Sequence, residues 1–177
     1  AKFAREGGRM HMFQLWVNLP KAHKMDPPRY QSLTAEQMGR VELPDNGGSV
    51  RVIAGEYQGV KGPARTFTPV NLFDIHLGVN GEARFSFPAH ENTSLVVMGG
   101  EVTINKERTA KELDFVLFEN AGEEILLEGS HARLLLLNGE PIDEPMVQYG
   151  PFVMNTREEI RQAFADFQSG KFGQFAE

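Results

Sequence analysis

From residue 50 onward the chain repeats one unit: a short run rich in Val, Leu, Ile and Phe, then a break. The runs fall at 50–54, 71–77, 83–87, 94–98, 101–104, 115–118, 124–127 and 132–137. Most breaks carry glycine, at Gly55, Gly59, Gly62, Gly78, Gly81, Gly99-Gly100, Gly122, Gly129 and Gly139. Apolar runs this short cannot make buried helices, and at this spacing with turn residues between them they predict the strands of a sandwich or barrel. With Gly 18 and Pro 10 in 177 residues, turn-forming residues are more frequent than in an average chain.

Near the C-terminus the period changes. Thr156-x-x-Glu159 is a capping box, in which the Thr hydroxyl accepts from the Glu159 amide and the Glu carboxylate reaches back. Ile160, Ala163, Phe164 and Phe167 then follow at i, i+3, i+4 and i+7, one helical stripe, and Gly170 supplies a stop. The expectation is an α-helix over 157–169, packed on the barrel through its Ile/Phe face.

The first 47 residues are different. In 12–19, Phe13, Leu15, Val17 and Leu19 alternate with Gln14, Trp16 and Asn18, which predicts a strand ended by Pro20. Residues 21–47 hold Pro27-Pro28, Pro44 and Asp45-Asn46-Gly47-Gly48 nearby, and read as a linker with a short helix at 34–38. The amide-and-Trp face of 12–19 has two readings. Gln14 and Trp16 could border a ligand pocket, Trp giving apolar area and the amide orienting polar groups. The favoured reading is an interface awaiting a neighbour, because a lone strand cannot bury both faces.

Charge divides along the same line. The net charge is −6, but 1–47 carries 7 basic against 5 acidic side chains and the rest 11 against 19. An acidic body without a basic run is a poor grip for a phosphate backbone, so no direct nucleic-acid binding is expected. No apolar run approaches the roughly 18 residues of a membrane span, and no secretory leader is visible, so the expected setting is the cytoplasm, or the nucleus in a eukaryote. Cysteine is absent, which excludes disulfides, thiolate metal sites and cysteine nucleophiles.

Catalytic patterns are scarce. P-loop, Gly-x-Ser-x-Gly, Gly-x-Gly-x-x-Gly and His-Glu-x-x-His motifs are all missing. Of the five histidines, His90 and His131 precede predicted strands and form the best candidate pair on facing strands. Two imidazoles are too few for an iron or zinc centre, so they are held as substrate-binding candidates beside Gln14 and Trp16, with barrel-mouth exposure as the ordinary alternative. Asp74 and His76 share a strand face and could form an acid–base couple or a solvated edge.

Three segments resemble the pirin family. Gly8-Arg9-Met10-His11-Met12-Phe13-Gln14-Leu15-Trp16-Val17-Asn18-Leu19-Pro20, with Lys24-Met25-Asp26-Pro27-Pro28-Arg29-Tyr30-Gln31, is similar to the family's mid-chain signature. Val50-Arg51-Val52-Ile53-Ala54-Gly55-Glu56 fits the strand opening its C-terminal domain. The run from Gly139-Glu140-Pro141 through Pro151-Phe152-Val153-Met154-Asn155-Thr156 to Ile160 resembles its C-terminal hallmark.

The resemblance implies an all-β cupin, a double-stranded β-helix or jelly-roll barrel, with a C-terminal α-helix. It divides the chain into 1–20, the last strand of an N-terminal cupin barrel, then 21–47, a linker, and 48–177, the C-terminal cupin domain. In pirins the iron site belongs to the N-terminal barrel, in a His-Pro-His-Arg-Gly type segment and a His-Ser-Glu segment, neither of which occurs here. In this barrel Gly81, His90 and Gly99-Gly100 outline a cupin motif, but Asn92 stands where a second His would be and Val96 near the expected Glu. Gly129-Ser130-His131 matches the second motif without its Pro.

The resemblance therefore implies no metal or other cofactor in this chain, with Fe(II) expected in the N-terminal barrel of an intact pirin. It implies Fe(II)-dependent quercetin 2,3-dioxygenase activity only when that barrel is present. The alternative is a non-enzymatic co-regulator that binds a transcription factor or metabolic enzyme. The first expected partner is the N-terminal barrel or its equivalent, to which the start at Ala1-Lys2-Phe3 also pointed, and a further protein partner belongs to the alternative.

Overall fold

A computed structural model describes residues 2–8 and 11–173, so residues 1, 9, 10 and 174–177 of the expected domains lie outside the described residues. A short helix α1 (Lys2–Glu6) is followed, after a long irregular stretch, by β1 (Gly39–Glu42), β2 (Gly48–Ala54), β3 (Glu56–Tyr57) and β4 (Val60–Lys61). Next come β5 (Val70–Leu77), β6 (Gly81–Ser86), β7 (Asn92–Gly99), β8 (Glu101–Ile104), β9 (Arg108–Lys111) and β10 (Phe115–Leu117). The chain ends with β11 (Glu124–Gly129), β12 (Arg133–Gly139), β13 (Val147–Tyr149), β14 (Phe152–Met154) and α2 (Arg157–Gln168).

Two antiparallel sheets face each other. One has six strands in the order β1-β2-β5-β12-β7-β10, and the other four in the order β6-β11-β8-β9. Consecutive strands jump between the sheets, β5 to β6 and β7 to β8, the crossing expected of a jelly roll. The inward residues alternate along each strand. Val50 and Val52, Phe73 and Ile75, Leu95 and Val97, Leu134 and Leu136 are fully buried from the large sheet, met by Val102 and Leu127 from the small one. Each fully buried side chain of this kind contributes roughly 1.5–3 kcal/mol.

All eight runs expected as strands are strands. The strands missed are short or polar: β1, β3, β4, β9 and the β13–β14 hairpin. β1 and β9 are sheet edges, each covered on one side only, so Arg40, Glu42, Arg108 and Lys111 leave little apolar periodicity. β1 also corrects the linker, since 39–42 pairs with β2 from Gly39↔Val52 to Glu42↔Ser49. The helix expected at 34–38 is a turn, closed by Gln37 N donating to the Thr34 carbonyl while Gln37 Oε1 accepts from Thr34 N.

The strand expected at 12–19 does not form, and 11–20 carry no regular structure. Strand geometry needs a partner to take up its N–H and C=O groups, and no described strand pairs with 12–19. The C-terminal helix forms as expected, with both halves of the capping box made. It packs on the β13–β14 hairpin: the Phe164 ring lies 5.0 Å from Phe152 and 5.7 Å from Tyr149. Phe167, expected on the packed face, is 62% exposed, while Asp166 is buried.

One turn depends on glycine. Gly48 has φ +120°, and a Cβ there would run into the His76 carbonyl oxygen of β5. Two substitutions test this account by urea unfolding. Phe73→Ala should cost about 3–5 kcal/mol, because its ring is buried among Tyr57, Phe85 and Phe87. Gly48→Ala should also destabilise the protein, whereas Gly122→Ala, in open space, should cost less despite its own positive φ.

Candidate functional site

Apolar side chains occupy the interior of the barrel. Tyr57, Phe73, Phe85 and Phe87 pack as a ring cluster with centroids 4.9 to 6.4 Å apart. Burial pushes the Tyr57 hydroxyl above the ordinary tyrosine range. At one end of the barrel, Asn71 Nδ2 donates to Asn138 Oδ1 (2.7 Å), and Asn138 Nδ2 donates to Thr93 Oγ1 (3.0 Å), which satisfies the polar groups of that row internally. Rings and amides of this kind are not a metal-ligand set. Among the described residues no group of three or more His, Asp or Glu side chains is placed to hold a metal ion.

The two barrel histidines do not meet. β12 runs antiparallel to β7 with Gly139 opposite Asn92 and Arg133 opposite Gly99. His90, just before Asn92, therefore lies at one end of the strands, and His131, just before Arg133, at the other. Both are exposed, and His131 sits in a turn at φ +55°. The pairing expected across facing strands is thus not made, because strand direction separates two residues that each precede a strand. Asp74 and His76 do meet, on the outer face of the large sheet. Asp74 Oδ1 lies 3.3 Å from His76 Nε2, and Asp74 Oδ2 lies 3.3 Å from Arg51 Nη1. The carboxylate is shared with an arginine rather than reserved for the imidazole.

The concave surface lies beside the barrel. Residues 16–25, the β13–β14 hairpin and α2 enclose a groove of about 770 Å³, within the range of small-molecule sites. Its walls are mostly apolar and rich in methionine, with Trp16, Met25, Met146, Phe152, Met154 and Phe172. Trp16 is 65% exposed. Gln14 is exposed outside the groove, so the structure brings Trp16 to a candidate site and leaves Gln14 beside it.

Polar residues close one side of the groove. Lys24 Nζ donates to Asn18 Oδ1 (2.6 Å) and to the Val153 carbonyl (3.1 Å). Lys21 N donates to Glu144 Oε2 (2.8 Å), and the same oxygen accepts from Asn155 Nδ2 (3.0 Å). Glu159 Oε2 accepts from the backbone N–H of Asn155 and of Thr156, both at 2.9 Å. Asn155 is 7% exposed, and its Oδ1 has no hydrogen-bond partner among the described residues.

These contacts set the charges. Desolvation holds the Lys24 ammonium below the ordinary lysine range, against the pull of Glu144 and Glu159. For Glu159 desolvation acts upward, but the Asn155 and Thr156 amides and Lys21 outweigh it, and its carboxyl titrates below the ordinary glutamate value. Asp166 is likewise lowered, first by the Lys171 ammonium and then by the Gln162 amide, both donating to it. Sequence reasoning found the Glu159 box but not Lys21, Lys24, Glu144 or Asn155. The only signal for Lys24, Glu144 and Asn155 was membership of the two family-like segments, with Lys21 between the two parts of the first, since nothing local joins residues more than a hundred positions apart.

A filled jelly-roll barrel with a peripheral groove makes this a cupin-type domain. The Pirin C-terminal cupin domain matches residues 72–173. The chain is 42% identical over 172 residues to a Pseudomonas aeruginosa protein named provisionally as a quercetin 2,3-dioxygenase, covering 97% of this chain and 60% of that protein. It is 36% identical to mouse pirin over 170 residues, covering 92% of this chain and 57% of pirin. Among solved structures, quercetin 2,3-dioxygenase from Acinetobacter baumannii superposes with a TM-score of 0.85 at 38% identity, over 91% of this chain and 56% of that one. The chain belongs to the pirin family, and it spans somewhat under two thirds of the length of these relatives.

Two outcomes follow for the helix cap. Thr156→Ala should cost about 1 kcal/mol in thermal unfolding, by removing the acceptor for the Glu159 amide. Because the Glu159 carboxyl is lowered on folding, its contribution is fully present above the ordinary glutamate value and is lost as pH falls through the lowered one. In an NMR titration the amides of Asn155 and Thr156 should therefore shift together with the Glu159 carboxyl at acid pH, and a titration at or above the ordinary value would refute the assignment.

Proposed function

We propose that this chain is the C-terminal barrel of a two-barrel pirin-type protein whose Fe(II)-dependent quercetin 2,3-dioxygenase chemistry belongs to the preceding barrel. One observation carries the reading. Buried aromatic rings occupy the barrel described here, while beside it residues 12–17 lie exposed, with strand-like alternation across 12–19 and no strand paired to it. The quercetin 2,3-dioxygenase name borne by relatives that continue beyond the matched length supports it. On this reading 12–19 completes the other barrel, Trp16 and Gln14 border its pocket, and the present barrel serves as a rigid support. The residues of this barrel do not fit an iron centre, and no chemical step is assigned to them.

The test compares the chain alone with a protein extended N-terminally to the length of its relatives. The extended protein should bind iron stoichiometrically and consume quercetin, and the chain alone should do neither. Stoichiometric iron on the chain alone, with quercetin turnover, would overturn the reading.

A second reading, a co-regulator without chemistry of its own, is favoured by a different observation. β10 is the outer edge of the large sheet, and Phe115 and Leu117 stand exposed at alternate positions along it, Leu117 at 72%, with Leu113 exposed in the turn before it. An uncovered apolar edge is a contact surface for another protein. Leu117→Lys should leave iron binding and quercetin turnover of the extended protein intact, and should abolish association with a protein partner if this edge is the contact.

A further inference from the structure

The two segments that carry the family resemblance at either end of the chain touch each other. Lys24, from the first, reaches Val153 in the second, 129 positions away. Lys21 reaches Glu144 through its backbone N–H, 123 positions away, and its ammonium lies 3.8 Å from Glu159 Oε1. The receiving groups are themselves held. Glu144 is fixed by Asn155, Asn155 by the Pro145 carbonyl and Glu159, and Glu159 by the first turn of α2.

We infer that Lys21 and Lys24 with Glu144, Asn155 and Glu159 form a clasp that fixes the direction in which residues 12–19 leave the barrel. This rests on the reading that those residues lead into a second barrel, and it assigns the joint between the two. Three features support a joint rather than a surface ion pair. The contacts are at long range, so they restrain the chain path rather than local conformation. Lys24 is partly buried and binds one acceptor on each side, Asn18 in the departing segment and Val153 in the hairpin. The stretch that follows is pinned again, by the His23 ring stacked 4.6 Å from Phe67 and by Gln31 exchanging two hydrogen bonds with the Arg65 backbone. From Asn18 to β1 the chain is thus a strap laid against the barrel.

The strap and the hairpin form two walls of the groove, and Lys24 ties them together between Asn18 and Val153. Trp16, two residues beyond Asn18, stands on the free side and reports on the strap's direction. It is the only tryptophan in the chain.

The experiment uses the full 177-residue chain and three variants: Lys24→Met, which keeps the stem and removes the donors, Glu144→Gln, and Lys106→Met on a distant exposed turn as a control. Hydrogen exchange is followed by mass spectrometry and Trp16 by fluorescence anisotropy. In Lys24→Met, amides of 18–25 should exchange about tenfold faster or more, Trp16 anisotropy should fall, and β5 and β12 should keep their protection. Glu144→Gln should give the same pattern more weakly, and Lys106→Met should change nothing. Unchanged exchange in 18–25 for both clasp variants would overturn the proposal. So would a loss of protection spread equally over β5 and β12, which marks plain destabilisation. Failure of the extended protein to bind iron would remove the two-barrel reading and leave the clasp standing, so the two can fail separately.

Discussion

The structure depends on β12 being paired along both edges. Its residues 133–139 lie between β5 and β7, and its Leu134 and Leu136 are fully buried beneath the small sheet. A strand paired on both sides has spent its backbone groups, so it stands inside the sheet, as β2, β5 and β7 also do, and the free edges are left to β1 and β10. The small sheet adds a lid of Val102 and Leu127 over the same core. Between the lids, the rings of Tyr57, Phe73 and Phe85 take the space that a cupin barrel can otherwise give to a ligand.

The peripheral concavity joins elements with no sheet in common: the strap at 16–25, a two-stranded hairpin and a helix. None of these could hold its place alone, since a three-residue hairpin and a helix of 12 residues are marginal in water. They hold because Phe152 and Phe164 pack edge to face and because one carboxylate, Glu159, serves the helix cap and faces Lys21 across the gap. Local capping and long-range docking therefore share a residue, and a change there acts on both.

Much of this was legible in the sequence, where periodicity is strong. The eight apolar runs are strands because each buries one face in a common core, and the helix begins at Thr156 because the capping box is a local device. Edge strands were not legible. β1 offers a single partly buried apolar residue, Val41, and its pairing with β2 depends on the partner rather than on its own composition. The alternation in 12–19 is a strand pattern on irregular backbone, since a pattern states what a segment could pair with and not whether a partner is there.

The candidate site was less legible, because its information is spread across the chain. His90 and His131 are alike in sequence, each shortly before a strand, yet antiparallel register puts them at opposite ends of the barrel. Lys24, Glu144 and Asn155 looked unremarkable, yet they converge. A histidine draws notice by its chemistry and a lysine does not, but only three-dimensional register decides which of them is near anything. In this chain the residues with the more ordinary chemistry hold the more consequential positions. Lys24, Glu144 and Asn155 fix the chain path at one margin of the barrel, which no local sequence pattern announces.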